Sequence, residues 1–387
     1  MLLADTYTPR EMIEKLISFD TVSRNSNLLL IDFVADYLDQ YNVPNTKIFN
    51  ADQTKANLYA TVGPNIEGGV VLSGHTDVVP VDGQPWDTDP FTVVEKDGKL
   101  YGRGTSDMKS FSAIALSKVP QMLERGLSAP IHFALSYDEE IGCIGAPSMI
   151  DRIAERLPSP RAVIVGEPTM MDIVSAHKGI MTLKTTVTGR EAHSSLVEDG
   201  VSAVMTAARL ISFIADMMAE NKERSSPDSP FNPPYTTLHS GVVNGGTAAN
   251  IISRECVFLW DIRHIPEDDP ADFVRRFTQY CETEMLPKMH AIAPEASIVT
   301  EISSVVPALK PENGGEAEML CKAITGENKT NAVSYAAEAG QFQEAGFSTV
   351  ICGPGSIGVA HQPNEYIEIT QVHAAEQFIN KLIEKMA

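Results

Sequence analysis

Two histidines and a group of carboxylates stand where an enzyme could hold metal ions. His75 and Asp77 lie in Ser73-Gly74-His75-Thr76-Asp77, directly after the apolar run Val70-Val71-Leu72. Asp138, Glu139 and Glu140 follow Ile131-His132-Phe133-Ala134-Leu135, and Glu167 follows Ala162-Val163-Ile164-Val165. His361 lies in the segment after Thr349-Val350-Ile351-Cys352. Asp107 belongs to the glycine-rich stretch Tyr101-Gly102-Arg103-Gly104-Thr105-Ser106-Asp107-Met108-Lys109, which leads into a helix. Imidazole and carboxylate without thiolate form a donor set that suits zinc and also accepts cobalt or manganese. His75, Asp107, Glu139-Glu140, Glu167 and His361 offer donors enough for two divalent ions. With one carboxylate shared, the ions would stand about 3.5–4 Å apart, the spacing used in hydrolysis by a metal pair. An acidic residue after a strand is commonly a turn or helix cap, and Asp107 by itself reads equally well as an N-cap. The combination of four strand ends is what points to metal chemistry.

Positioning these groups is the task of the elements around them. Short apolar runs with polar or glycine flanks, separated by helix-like segments, predict buried strands of an α/β sheet covered on both faces. Ligands of open α/β sheets bind beyond the carboxyl ends of strands, so four such ends would converge on one edge. His132, inside one of the runs, is read as structural. Thr8-Pro9-Arg10-Glu11 places a hydroxyl cap, a proline and a glutamate as the start of a first helix.

Residues 180–302 have another rhythm. A strand (181–187) leads to a long helix (201–219), whose apolar stripe reads as core. Strands at 236–243 and 256–262, a helix at 271–285 and a strand at 297–302 follow. That βαββαβ order is ferredoxin-like. The fold expected is α/β, with a catalytic domain (1–179 and 303–387) interrupted by a smaller domain (180–302). Ser225–Pro234, with prolines at 227, 230, 233 and 234, is an extended loop within the insert.

At 387 residues the chain exceeds one compact core. A net charge of -21 would repel nucleic acid and anionic membrane, so neither is expected as a partner. No stretch approaches a transmembrane helix, and the first residues do not read as a secretory leader. The five cysteines are scattered without a CxxC pair, which fits reduced thiols and a cytoplasmic location.

Gly74-His75-Thr76-Asp77, Gly104-Thr105-Ser106-Asp107-Met108-Lys109, Asp138-Glu139-Glu140 and Gly166-Glu167-Pro168-Thr169 together resemble the M20 family of metallopeptidases and deacylases, along nearly the whole chain. The resemblance implies two metal ions, with His75 and His361 as terminal ligands and Asp107 as the bridge. Glu140 and Glu167 would each complete one metal, and Glu139 would serve as general base. Asp77 would orient His75, a role that outer-shell chemistry also supports. A cis peptide between Asp107 and Met108 is implied as well.

Ala176-His177-Lys178-Gly179, Gly245-Gly246-Thr247-Ala248-Ala249-Asn250, Trp260-Asp261-Ile262-Arg263, Ser334-Tyr335-Ala336-Ala337-Glu338-Ala339 and Ala360-His361-Gln362-Pro363-Asn364-Glu365-Tyr366 are similar to members that deacetylate N-acetylornithine. The implied substrate is therefore a small N-acyl amino acid, taken by a homodimer built through the inserted domain. The resemblance implies that His193 reaches across that dimer to the acyl oxygen, and that Arg263 grips the substrate carboxylate. Read alone, they are a turn histidine and a salt-bridged surface arginine. Asn250 is a further substrate-binding candidate, although Ile251-Ile252 follow it where many members carry proline. Glu338 would meet the substrate ammonium or, equally, cap a helix starting near Ala339. Desuccinylation or aminoacylase activity is the alternative on the same scaffold, and a binding protein that retains the fold is the non-enzymatic one.

Overall fold

The computed structural model describes residues 5–387, which fall into two compact units. The first unit comprises the chain up to Ala176, together with Leu309–Ala332 and Ala337–Ala387. The second comprises His177–Ala308 and takes back Val333–Ala336.

An eight-stranded sheet organises the first unit. Its order is Asn45–Phe49, Ala56–Val62, Ile131–Ser136, Val70–His75, Ala162–Pro168, Thr349–Gly353, Val174–His177, Asn331–Val333. The four strands read from the sequence are neighbours at its centre and mutually parallel, with His75 opposite Ser136, Ser73 opposite Val165 and Ile351 opposite Val165. Every residue of Val70–His75, Ile131–Ser136 and Ala162–Pro168 is buried, because helices cover both faces. The sheet also carries antiparallel strands, among them Asn45–Phe49 and Ala56–Val62, whose apolar patterns are too short to single out by sequence. Helix Pro9–Ile17 starts with the expected reciprocal cap between Thr8 and Glu11.

Helix Lys109–Ser117 packs against strands Val70–His75 and Ala162–Pro168 and explains two glycines. A Cβ on Gly74 would stand 2.6 Å from Ser112 Oγ, and one on Gly166 would stand 2.1 Å from the Phe111 ring. Only glycine before His75 and before Glu167 lets this helix approach so closely. A small sheet of Tyr366–Glu368, Lys99–Tyr101 and Val94–Lys96 pairs Tyr101 with Tyr366. It thereby ties the start of the Asp107 loop to the end of the His361 loop.

The second unit is the expected ferredoxin-like fold. Strand Gly179–Thr188, helix Ala203–Glu223, strands Thr237–Gly245 and Glu255–His264, helix Pro270–Tyr280 and strand Ser297–Val306 follow in that order. The sheet is antiparallel, with Glu255–His264 and Gly179–Thr188 central and the other two strands at the edges. The helix expected over 271–285 is regular to Tyr280 and then widens into a π turn, Cys281–Met285. Alternate residues Cys256, Phe258, Trp260 and Ile262 pack beneath the helices together with Leu210, Ile214 and Phe277. Among the described residues no helix is long and apolar enough to cross a membrane.

Candidate metal centre

All six expected metal-centre residues meet at the carboxyl edge of the central strands. His75 ends its strand, Glu167 lies within Ala162–Pro168, and Glu139 and Glu140 form the turn after Ile131–Ser136. His75 Nε2 stands 3.1 Å from Asp107 Oδ1 and 3.7 Å from Glu167 Oε1. His361 Nε2 stands 3.3 Å from Asp107 Oδ2 and 3.0 Å from Glu140 Oε2. Asp107 thus turns one oxygen to each imidazole, as a bridging carboxylate must. Donor atoms of His75, Glu139 and Glu167 also lie within 4.8 Å of one another, as do those of His75, Asp107 and Glu140, so Glu139 too is within reach of the pair. The Asp107–Met108 peptide is cis, as the resemblance implied.

The protonation of His75 is set from behind. Its Nδ1 lies 2.9 Å from the backbone carbonyl of Asp77, which can only accept. Nδ1 therefore carries a proton, which leaves Nε2 as the nitrogen that faces Asp107 and Glu167. The Asp77 carboxylate is 3.7 Å from Nδ1 and has other duties. Oδ1 accepts from the Glu139 amide (3.1 Å), while Oδ2 accepts from the Glu140 amide (3.3 Å) and from Ser23 Oγ (2.7 Å). Asp77 therefore fixes the turn that presents both glutamates as well as the histidine.

Carboxylates outnumber cations here, and the proton affinities show it. Burial drives Glu139 up to about 8 against the pull of His75, with Glu140 and Glu338 adding to the rise. Burial and the Asp107 charge raise Glu140, and the same causes hold Glu167 well above the usual carboxylate range. His361 is raised to about 10 by its bonds to Asp107 and Glu140. Burial opposes a charged His75, yet Asp107, Glu167 and Glu139 hold its pKa well above the ordinary value. Asp107 is the exception, kept below the carboxylate range by the two imidazoles despite its burial. Glu167 Oε1 is buried without a hydrogen-bond partner. An orphaned carboxylate oxygen within such crowding fits the place of a cation, and the nitrogen and oxygen donors fit a divalent pair.

Cys143 and Glu365 were given no role from the sequence. Cys143 Sγ donates to Glu139 Oε1 at 3.1 Å. Glu365, fully buried, accepts from the amides of Gly104, Ser106 and Asp107 and from Arg103. The one available clue to Glu365 was the run Gly102-Arg103-Gly104, whose amides and guanidinium call for an anion. Glu338 occupies the position before helix Ala339–Glu344, where the capping alternative put it, but its side chain makes no capping bond. Its buried carboxylate turns to Ser136 Oγ, in a short contact, and to Ser73 Oγ at 3.4 Å.

The remaining candidates belong to the second unit. His193 is exposed, with Nδ1 2.7 Å from Ser195 Oγ, and it pairs with Ile251 across an isolated bridge beside Asn250. Arg263 lies opposite Ile180 on the sheet face away from the helices, with Nε 3.6 Å from Asp261 Oδ1. His193 lies beyond Thr188, at the other end of the same strand.

A strand-edge donor set around a shared aspartate, within an α/β unit interrupted by a ferredoxin-like one, defines a metal-dependent amide hydrolase. The chain belongs to peptidase family M20/M25/M40, whose model matches residues 71–385. It is 33% identical over 390 residues to the acetylornithine deacetylase of Proteus mirabilis, covering 97% of this chain and 95% of that one. Its fold is similar to an M20 family metallo-carboxypeptidase from Sulfolobus solfataricus (TM-score 0.74, 17% identity, 98% and 99% coverage). A Bacillus subtilis protein described as a dinuclear metal-binding peptidase of the M20 family is also similar (TM-score 0.63, 14% identity, 98% and 97% coverage).

Proposed function

We propose that this enzyme hydrolyses N-acetyl-L-ornithine to L-ornithine and acetate, a step of arginine biosynthesis, in the cytoplasm. The observation that carries the hydrolysis is Asp107, with one oxygen toward each imidazole–carboxylate pair. The choice of substrate rests on the near full-length similarity to the Proteus mirabilis deacetylase. Two divalent ions, zinc by preference, would be held by His75, Asp107 and Glu167 and by His361, Asp107 and Glu140. When bound they supply Lewis acidity toward the amide carbonyl and toward water.

The chain's own residues do the rest. Glu139, steadied through its amide by Asp77 and at Oε1 by Cys143, takes the proton of the attacking water and returns it to the departing amine. Arg263 grips the substrate carboxylate through its planar fork. His193, supplied by a second copy of the chain, stabilises the acyl oxygen as charge develops, and Asn250 beside it contributes to binding. The trans arrangement is supported by the second unit itself. Arg263 lies opposite Ile180 and His193 lies beyond Thr188, and the eight residue steps between those two strand positions already span roughly 26 Å, too far for one small substrate to cross. Val242 and Val243, exposed on an edge strand, give a homodimer an apolar seam.

Glu338 is our candidate for the ornithine ammonium, since its Ser73 contact is long enough to yield to one. The two serine bonds favour a second role, bracing strands Val70–His75 and Ile131–Ser136. Assays of N-acetylornithine, N-acetylmethionine and N-succinyl-diaminopimelate test the substrate. Preference for N-acetylornithine is expected, and preference for the succinyl compound would overturn the assignment.

A further inference from the structure

His361 is unlike the other metal-facing residues. His75, Glu140 and Glu167 are held by buried strands or their immediate turns, and Asp107 is buried at the start of helix Lys109–Ser117, whereas the His361 side chain is 53% exposed and sits on a loop at positive φ. Asp87 holds Asn364 in this loop, and a chain of hydrogen bonds from Glu365 runs to His361 itself. Glu365 Oε1 gathers the amides of Gly104 (3.1 Å), Ser106 (2.8 Å) and Asp107 (3.0 Å), and Oε2 takes Arg103 Nη1 at 2.7 Å. Arg103 Nη2 donates to Gln84 Oε1 at 2.6 Å, and Gln84 Nε2 donates to the backbone carbonyl of His361 at 2.9 Å. Trp86 steadies both, with its Nε1 on Gln84 Oε1 at 3.0 Å and its ring 5.1 Å from the Arg103 guanidinium.

We infer that Glu365, acting through Arg103 and Gln84, is the positioning residue that sets His361 against Asp107 and so determines the affinity of the His361–Glu140 ion. The inference rests on the two-ion reading above. Its logic is geometric, because one buried carboxylate grips the amide of the bridging residue and, through two side chains, the carbonyl of the outlying histidine. The His75–Glu167 side depends on neither Arg103 nor Gln84. Glu365 is itself four residues from His361, so both ends of that loop are secured by the same network.

The test is calorimetric titration of the metal-free protein with Zn2+. Wild type should take two ions, and His361→Ala identifies the step that belongs to the His361 side. Glu365→Gln should weaken that step by 10–100-fold, the range for loss of an outer-shell partner, and weaken the other step less, because Asp107 serves both ions. Because Glu365 is buried and that variant can fail to fold, Gln84→Ala and Gln84→Glu provide independent arms. Gln84→Glu keeps an acceptor for Arg103 and Trp86 but cannot donate to His361. Both should weaken the His361 step about tenfold with an unchanged melting temperature of the metal-free protein. Unchanged affinities in both Gln84 variants, or equal weakening of the two steps, would overturn the inference. A single ion in wild type would instead sink the two-ion reading, and this inference with it.

Discussion

Replacing Asp77 by asparagine tests how the turn holding Glu139 and Glu140 is fixed. The native carboxylate, 2% exposed, accepts on both oxygens, from the Glu139 amide at one and from the Glu140 amide and Ser23 at the other. Asparagine has one oxygen and a donating NH2. If the NH2 takes the Oδ1 place, the Glu139 amide meets a donor. If it takes the Oδ2 place, the Glu140 amide does, while the Ser23 hydroxyl can turn and accept. Either way one backbone N–H is orphaned, at a cost of about 1–3 kcal/mol. Movement of the turn to relieve that conflict displaces Glu139 from the attacking water and Glu140 from its place beside His361. At 1.36 kcal/mol per factor of ten, the loss in kcat/KM should be roughly 10–100-fold. Steady-state kinetics with N-acetylornithine at saturating metal, beside chelator competition, measures both consequences. Asp77→Asn with wild-type kcat/KM and metal retention would refute the reasoning.

Three further outcomes are expected. Glu338→Gln should harm N-acetylornithine hydrolysis far more than N-acetylmethionine hydrolysis, because only the first carries an ammonium; equal losses in a substrate comparison would assign Glu338 to strand bracing. Mixing Glu139→Gln chains with His193→Ala chains should restore about a quarter of wild-type activity, since half of randomly formed dimers would be mixed and each would hold one intact site; no recovery in verified heterodimers would remove His193 from the partner's site. Burial pushes His132 down to about 4, and its Nδ1 is 2.9 Å from Thr61 Oγ1. The folded chain therefore keeps His132 neutral while the unfolded chain takes a proton near the ordinary 6.5. Stability from this source is full above about pH 6.5 and is lost as pH falls toward 4, by up to about 3 kcal/mol. Denaturant titrations across that range should show a shallower pH slope for His132→Gln than for wild type.

The four central strands were legible because each is a short apolar run buried on both faces, and a parallel sheet leaves no polar alternation to blur the pattern. His75, Glu167 and the Glu139-Glu140 pair were legible because they stand at the ends of those runs. The βαββαβ order could be read from the change from a period of two to a helical period between 180 and 302. What escaped depends on contacts between distant segments. Glu365 joins residues more than 250 positions earlier, and no local period marks a carboxylate that will be enclosed by three amides. Asp77 was expected to orient His75 because the family resemblance implies it. Its carboxylate turns to the 139–140 amides because the parallel register sets His75 level with Ser136, which brings the following turn alongside. The return of 333–336 to the second unit has no counterpart in composition at all.

The most direct test of the account is the rate of N-acetylornithine hydrolysis by Glu139→Gln, with bound metal counted in the same sample. Two ions per chain and a rate at least a hundredfold below wild type are expected, since general-base removal typically forfeits about 10²–10⁴-fold. Loss of one ion would make Glu139 a ligand, and near-wild-type turnover with both ions bound would remove it from the chemistry.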